Sequence, residues 1–256
     1  MFTGGAILLG VLVGFIGTLI GAGGGFLLTP VFLFLYPDLS ASEITAMSLL
    51  AVWANSTSGS VGYALRKQVH WPSVALFSIS AVPGVLLGVE LGRVVNRQVF
   101  NVMFGAFMLI MGVYIMVRSR KVKQNISKKF WTVKNMAIGA FVSFFVGILS
   151  SLLGIGGGIV HVPLLSELML YPIHIAAGTS HAILALTSLV AVIDHWRAGD
   201  LTPFNPLLPY LCIGLVGGAQ LGAHYSKKIA NNIILRVLGV ALLIAAARLL
   251  LKGLGV

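Results

Sequence analysis

The sequence predicts an all-α, multi-pass membrane protein. Of the 256 residues, 58% are hydrophobic and only 9% are charged, whereas a typical soluble domain has about 25% charged residues. The first charged side chain is Asp38, so residues 1–37 form an uncharged run, longer than the roughly 20 residues that a spanning helix needs. The run lacks a basic start and a small-residue cleavage site, so we expect it to stay in the mature protein.

Ten apolar segments follow one another along the chain. They cover residues 5–22, 25–36, 42–64, 73–92 and 99–117 in the first half, and residues 135–153, 158–171, 174–195, 206–224 and 231–251 in the second. Segments 25–36 and 158–171 are short for a full span, so each is expected to belong to a Gly-broken helix or a re-entrant hairpin. Counted as continuous helices, the segments predict about eight transmembrane helices. Counted as separate crossings, they predict five in each half, and the two repeats would be inverted.

A basic segment divides the chain in two. The net charge is +11, and seven cations without an acid fall between residues 118 and 134, namely Arg118, Arg120, Lys121, Lys123, Lys128, Lys129 and Lys134. Because apolar segments flank this run, the positive-inside rule explains it better than nucleic-acid binding does. We therefore expect a first transmembrane repeat at 1–117, a basic cytoplasmic linker at 118–134 and a second transmembrane repeat at 135–256.

The two halves resemble each other. Gly21–Gly25 reads Gly-Ala-Gly-Gly-Gly and is followed by Pro30, while Gly154–Gly158 reads Gly-Ile-Gly-Gly-Gly and is followed by Pro163. Further matches lie at offsets of about 130 to 134 residues, which indicates an internal duplication. The loop charges fit parallel and inverted repeats equally. We favour inverted repeats, because they give alternating access a simple geometry.

The paired glycine runs predict a binding site. Flexible backbone at membrane depth is tolerated where it is buried in protein or lines a cavity, and matched Gly-interrupted segments point to a transporter's substrate site. A helix beginning at Gly24 or Gly157 presents free N–H groups, so two such ends could face one anion. Close helix packing is the simpler explanation for any single glycine. The candidates from these runs are Gly23, Gly24, Gly25, Gly156, Gly157 and Gly158.

Polar side chains inside apolar segments supply the remaining binding candidates. Ser48 and Asn55 are seven residues apart and share a helix face, and His181, Ser188 and His195 recur at the same interval. Serine and threonine can instead bond their own helix backbone. The predicted substrate contacts are Ser48, Asn55, Thr179, Ser180 and His181.

Charged residues at two matched segment ends suggest a gate. Asp194, His195 and Arg197 end one segment, and Arg66 ends its counterpart. They either mark the membrane surface or form a proton-coupling or gating group, since histidine titrates near neutral pH. Proton coupling through His181 or Asp194 is a hypothesis at this point.

Enzyme, cofactor and metal motifs are absent from the sequence. The single cysteine, Cys212, excludes disulfides within the chain and thiol metal clusters. Neither His-Glu-x-x-His nor a Walker-type motif occurs, and the glycine runs lack the context of a dinucleotide site. Gly-Thr-Ser-His at 178–181 lacks the Gly-x-Ser-x-Gly elbow. We predict no enzymatic activity, no cofactor and no metal.

The glycine runs with their prolines, the Ala-Ala-Gly-Thr-Ser stretch at 176–180 and the duplication resemble the TauE/SafE sulfite exporter family over essentially the whole chain. The resemblance implies a secondary transporter of the bacterial-type inner membrane for sulfite, sulfonates or related organosulfur anions. It implies a site at runs 21–25 and 154–158 and at Thr179–Ser180. The first half departs from that last pattern with Met47–Ser48, and the Cys-x-x-Cys of some relatives is absent.

The function we expect is transport of a small anion by alternating access. Two alternatives stay open: a passive anion channel, and a non-transporting membrane scaffold or enzyme subunit. The expected partners are a small anionic substrate and the lipid bilayer. A homodimer is left open, and nucleic acid is not expected.

Overall fold

The computed structural model describes residues 2–118, 132–201, 206–226 and 232–254. Within these ranges the chain forms ten α-helices and one π-helical turn. The helices are α1 (Phe2–Ile20), α2 (Gly25–Leu35), α3 (Ala41–Leu65), α4 (Trp71–Val94), α5 (Arg97–Arg118), α6 (Val133–Leu153), α7 (Gly158–Pro163) with its π-helical turn (Leu164–Leu168), α8 (Ile173–Ala198), α9 (Leu208–Tyr225) and α10 (Asn232–Leu254). Most of the predicted basic linker lies outside the described residues.

Five described helices are long and apolar enough to cross a bilayer. They are Thr3–Ile20, Trp71–Val94, Arg97–Val117, Val133–Leu153 and Ile173–Ala198. Large apolar side chains point outward from these and other helices, and Ile79, Phe141 and Ile213 are each more than 60% exposed. In water such a surface would be an aggregation hazard, whereas in a bilayer it faces lipid. The fold is that of a helical membrane protein.

Helix ends follow local sequence signals. Ser40 and Glu43 form a capping box at the start of α3, in which Glu43 N donates to Ser40 Oγ at 3.2 Å and Ser40 N donates to Glu43 Oε2 at 2.7 Å. Helices α1 and α6 end at Gly21 and Gly154, whose φ angles of +83° and +70° are left-handed. Glycine adopts this conformation without a steric penalty, so both helices stop there.

The short helix α2 folds back along α1. The chain reverses at residues 21–24, where a Cβ atom added at Gly17 of α1 would lie 2.6 Å from Gly24 N. At the other end of the pair, Ala6 and Leu9 of α1 line the same groove as Phe32 and Leu35 of α2. Both ends of the α1–α2 hairpin therefore lie on the same side of the bundle.

Helix α7 and its π-helical turn fold back along α6 in the same way. A Cβ atom added at Gly157 would lie 2.9 Å from Val146 Cγ1. At the far end, Asn135 Nδ2 of α6 donates to Leu168 O at 3.4 Å. The expected helix breaks are thus hairpins, one in each half.

Glycine seams join the hairpins to neighbouring helices. Gly214 and Gly218 of α9 approach the backbone of α1. Gly84 and Gly88 of α4 approach the backbone of α6 in the same way. A Cβ atom added at any of these four glycines would lie 2.0 to 2.3 Å from a carbonyl oxygen or a hydroxyl. Small residues at helix interfaces allow such close packing in membranes. Helix α3 packs against α8, and α5 packs against α10.

The two ends of the bundle differ in charge. Helix α5 ends and α6 begins at one of them, which we call the linker end. Five of the six acidic residues lie at the opposite end, which we call the acidic end: Asp38, Glu43, Glu90, Asp194 and Asp200. Helix α1 begins at the acidic end, whereas α6 begins at the linker end.

Candidate anion site at the crossed glycine loops

The two hairpin turns cross each other inside the bundle. We call them the first glycine loop (residues 21–24) and the second glycine loop (residues 154–157). A Cβ atom added at Gly25 would lie 2.7 Å from Gly154 O, and one added at Gly158 would lie 2.5 Å from Gly21 O. Either contact is too short for a side chain. Gly25 and Gly158 are therefore required where the loops touch.

The other predicted glycines are needed because their backbone is left-handed. Gly23 and Gly24 have φ angles of +78° and +82°, and Gly156 and Gly157 have φ angles of +79° and +74°. The matching angles give the two loops the same shape. Val52 of α3 and Leu184 of α8 fill the space between Gly23 and Gly156, and both side chains are fully buried. In this structure the space between the two loops is therefore apolar.

Unpartnered polar atoms of α3 lie beside the N-terminus of α2. No side chain caps the helix at Gly24. Asn55 and Ser56 of α3 are completely buried, and among the described residues neither Asn55 Nδ2 nor Ser56 Oγ has a hydrogen-bond partner. A Cβ atom added at Gly24 would lie 4.0 Å from Asn55 Nδ2, and one at Gly23 would lie 3.1 Å from Ser56 Oγ. Free backbone N–H groups beside an amide donor can bind an anion.

A chain of buried side chains continues from Asn55. Thr18 Oγ1 of α1 lies 3.3 Å from Asn55 Oδ1, and His181 Nε2 of α8 lies 3.1 Å from Thr18 Oγ1. Tyr63 OH of α3 donates to Thr18 O at 2.8 Å. Sequence reasoning missed Thr18 and Tyr63. The signal for Thr18 was a hydroxyl inside the apolar α1, three residues before the glycine run.

Ser48 and Ser180 play matching roles at the glycine loops. Ser48 Oγ donates to Gly154 O at 2.7 Å, and Ser180 Oγ donates to Gly21 O at 2.9 Å. Each serine therefore satisfies the carbonyl of the glycine that ends a hairpin helix. Thr29 adds a second bond to Gly154 O at 3.0 Å and lies 2.8 Å from Ser48 Oγ.

Thr179 is engaged away from the glycine loops. Its Oγ1 accepts from His70 N at 3.0 Å, near the linker end. There His70 Nδ1, Ser73 Oγ and Tyr171 OH lie 3.0 Å from one another. Burial lowers the pKa of His70 and raises the pKa of Tyr171. This uncharged cluster joins the end of the second hairpin to the α3–α4 connection.

The start of α7 also lacks a side-chain cap, and Ser150 Oγ lies 3.2 Å from a Cβ atom added at Gly157. Gly157 faces Val146 and Ser150 of α6. His161 follows within the helix, is 2% exposed, and its Nε2 lies 3.3 Å from Ser143 Oγ. Helix α7 itself has only six residues before the π-helical turn.

The predicted gating residues Asp194 and His195 belong to a network at the acidic end. Arg93 of α4, which sequence reasoning missed, lies 3.0 Å from Asp194 Oδ2 and 3.4 Å from Asp200 Oδ2, and it also pairs with Glu90. Arg197 is exposed. Asp194 is thus paired with a residue from another helix.

Asp200 connects three helices in this network. His195 Nδ1 lies 2.7 Å from Asp200 Oδ2, and Ser42 Oγ of α3 donates to the same oxygen at 2.9 Å. Burial alone would raise the pKa of Asp200, but the hydrogen bonds from His195 and Ser42 and the charge of Arg93 hold it below its ordinary value. The carboxylate therefore remains ionised and keeps α3, α4 and α8 together.

Arg66 lies at the linker end, opposite Arg197. Its Nη2 lies 2.9 Å from His224 Nδ1 of α9, and its Nη1 donates to Gly62 O. His224 was not identified from the sequence. The matched residues Arg66 and Arg197 therefore belong to opposite ends of the bundle.

Comparison with known proteins agrees with this architecture. A family model described as Sulfite exporter TauE/SafE matches residues 6–250. The chain belongs to this family. The resemblance inferred from the glycine motifs is confirmed.

Relatives of this TauE/SafE member cover nearly all of it. Probable membrane transporter protein YunE of Bacillus subtilis is 29% identical over 96% of this chain and 97% of its own length. A probable membrane transporter protein of Xylella fastidiosa is 28% identical over 93% and 90%, and one of Methanocaldococcus jannaschii is 28% identical over 88% and 86%. No solved structure matches significantly. The family and these names indicate a multi-pass membrane transporter rather than an enzyme.

Proposed function

We propose that this TauE/SafE protein is a secondary transporter that moves sulfite, a sulfonate or a related organosulfur anion across the bacterial inner membrane. The observation that carries the proposal is the uncapped N-terminus of α2, buried at Gly24 beside the unpartnered Asn55 Nδ2 and Ser56 Oγ. The description of the family as a sulfite exporter supports the substrate class.

The chemistry of the site suits a small oxyanion. Sulfite and sulfonate groups present several acceptor oxygens, and the site offers backbone N–H groups, an amide and a hydroxyl. A helix N-terminus contributes roughly half a positive charge without a basic side chain. An anion held by a partial charge and hydrogen bonds can leave again, as transport requires.

We further propose that residues 1–117 and 135–256 are inverted repeats, with eight spanning helices and two short hairpin helices. Helix α1 packs along α9 as α6 packs along α4, and α1 and α6 begin at opposite ends of the bundle. With the basic linker in the cytoplasm, the acidic end faces the other side, in agreement with the positive-inside rule.

Alternating access would open one end at a time. The Arg93–Asp194–Asp200 network closes the acidic end, and the His70–Ser73–Tyr171 cluster with the Arg66–His224 contact closes the linker end. Breaking one set while the other holds would expose the crossed loops to one side. Ser48, Thr179 and Ser180 would then be free to contact the anion.

Reconstitution tests this function. Purified protein in liposomes with an imposed proton gradient is expected to take up labelled sulfite saturably, with competition by sulfonates. Gly24→Val should abolish uptake, because the side chain would crowd Val13 and strain a left-handed residue. Gly217→Ala is the matched control, since nothing lies within 4 Å of its added Cβ.

The other outcomes separate the alternatives. Flux that does not saturate and is much faster than carrier turnover indicates a channel. No flux of sulfite, sulfonate, thiosulfate, sulfate or chloride through folded protein contradicts anion transport and favours a scaffold or partner subunit. Light scattering of the purified protein in detergent tests whether the protein forms the homodimer that the sequence leaves open.

A further inference from the structure

Three buried side chains from three helices form an unbranched chain that ends at the candidate anion site. His181 of α8, Thr18 of α1 and Asn55 of α3 are each fully buried. His181 Nε2 lies 3.1 Å from Thr18 Oγ1, which lies 3.3 Å from Asn55 Oδ1. The second ring nitrogen, His181 Nδ1, lies 3.3 Å from the carbonyl of Ala177. The free end of the chain is Asn55 Nδ2, beside Gly24.

The direction of each hydrogen bond in the chain is linked to the next. A threonine hydroxyl has one proton. When the amide oxygen of Asn55 faces Thr18, Thr18 donates that proton to Asn55 Oδ1, so the Thr18 oxygen accepts from His181 Nε2. The Ala177 carbonyl can only accept, so His181 Nδ1 must also carry a proton. Both ring nitrogens are then donors, which defines the imidazolium.

When His181 is neutral, the hydrogen bonds along the chain run in the opposite direction. The one ring proton then lies on Nδ1 and faces Ala177 O. Nε2 becomes an acceptor, and the Thr18 hydroxyl donates its hydrogen bond to it. The Thr18 oxygen must then accept from the NH₂ group of Asn55. The amide turns by half a rotation, and its carbonyl oxygen faces the free N–H groups of α2. That oxygen caps the helix and occupies the place of an anion's oxygen.

We propose that the His181–Thr18–Asn55 chain couples a proton to the anion, because the charge on His181 decides whether Asn55 offers a donor or an acceptor to the N-terminus of α2. The inference rests on the proposed anion transport and specifies its coupling. One proton binds at His181 as one monovalent anion binds at α2, so loading leaves the net charge unchanged. A neutral load lowers the cost of carrying charge through the low-dielectric interior.

The groups around His181 show how its ring is connected to the rest of the bundle. From α3, Tyr63 faces the ring at a centroid distance of 5.7 Å, and Gly59 lies against its edge. Ser226 interacts with Tyr63 through a side-chain hydrogen bond, and Arg66 interacts with it through its charge. From α1, Thr18 is the polar contact. Among the described residues, the hydrogen bonds and ring contacts of His181 include no carboxylate.

Anion binding at two pH values tests the coupling. The probe is methanesulfonate, which keeps one negative charge across the range, with sulfite as the second probe. Wild-type protein in detergent should bind the probe about 5- to 150-fold more tightly at low pH, the usual size of coupling between two sites. The comparison runs between about pH 5 and 8, the range in which an unperturbed histidine changes charge. Binding at constant pH should take up about one proton per anion, because linkage is reciprocal.

Variants of the middle residue isolate the chain. Thr18→Val removes the hydroxyl and should bring the ratio of the two affinities close to one, whereas Thr18→Ser should keep the wild-type ratio. Thr187→Val is the matched control, because Thr187 is a buried hydroxyl that bonds the Ile183 carbonyl of its own helix. If Thr18→Val does not fold, His181→Gln replaces it and should also lose the ratio.

The outcomes distinguish the two proposals. Saturable binding by wild-type protein without proton uptake overturns the coupling and leaves anion transport standing. A wild-type ratio in folded Thr18→Val or His181→Gln also overturns it. If wild-type protein binds neither methanesulfonate nor sulfite, the proposed function fails, and the coupling fails with it.

Discussion

The two glycine loops share a backbone but differ in the chemistry around them. Both have left-handed glycines at matching positions, and each touches the carbonyl of the other. The N-terminus of α2 after the first loop faces Asn55, with Thr18 and His181 behind it. The start of α7 after the second loop faces Val146 and Ser150. A duplicated backbone can therefore keep its shape in both halves while the side chains around it differ.

The largest effect should come from the glycines where the loops cross, and it should be equal in both halves. Gly25→Ala and Gly158→Ala each place a Cβ atom within 2.7 Å of a carbonyl oxygen in the opposite loop. Overpacking of this kind costs about 1 to 3 kcal/mol or more. Thermal unfolding of the purified variants measures it. A large loss at Gly25 with none at Gly158 would contradict the shared backbone.

Substitution of Asn55 should lower anion affinity, whereas substitution of the matching residue in the second half should not. Asn55→Leu removes the amide at the N-terminus of α2, and hydrogen bonds to charged groups contribute about 1.5 to 3 kcal/mol. We expect sulfite affinity to fall by about tenfold or more. Thr187→Val changes the matching position of the second half, where the hydroxyl bonds its own helix, and should leave affinity unchanged. Equal losses in both variants would show that both halves bind.

Substitution of the serines at the two loops should lower the stability of the protein by different amounts. Ser180→Ala leaves Gly21 O without its described hydroxyl donor, and an unsatisfied buried carbonyl costs about 1 to 3 kcal/mol. Ser48→Ala should cost less, because Thr29 still donates to Gly154 O. Thermal unfolding should rank Ser180→Ala as the less stable variant. Adding Thr29→Val to Ser48→Ala should remove the difference, and the reverse ranking would contradict this account.

The smallest effect should come from His161. Its Nε2 lies 3.3 Å from Ser143 Oγ, away from the Asn55 chain. His161→Gln should lower stability by about 1 kcal/mol or less and leave anion uptake dependent on pH. Uptake measured across a pH series checks this. Loss of the pH dependence would instead make His161 a coupling residue.

The sequence alone predicted the helices and their breaks closely. The apolar segment 25–36 is helix α2 at Gly25–Leu35, and the expected helix starts at Gly24 and Gly157 are the residues immediately before α2 and α7. These features depend on local properties. Hydrophobicity decides which segments are stable in lipid, and only glycine adopts left-handed backbone freely.

Only the tertiary structure decided which polar residues meet. Thr18 and His181 are 163 residues apart, and Arg93 reaches Asp194 from 101 residues away. Thr179 and Ser180 are neighbours in sequence, yet Thr179 bonds His70 at the linker end and Ser180 bonds Gly21 at the first glycine loop. Adjacent residues on a helix point about 100° apart. Their partners are therefore set by which helix packs on each face, and helix packing is a property of the whole chain.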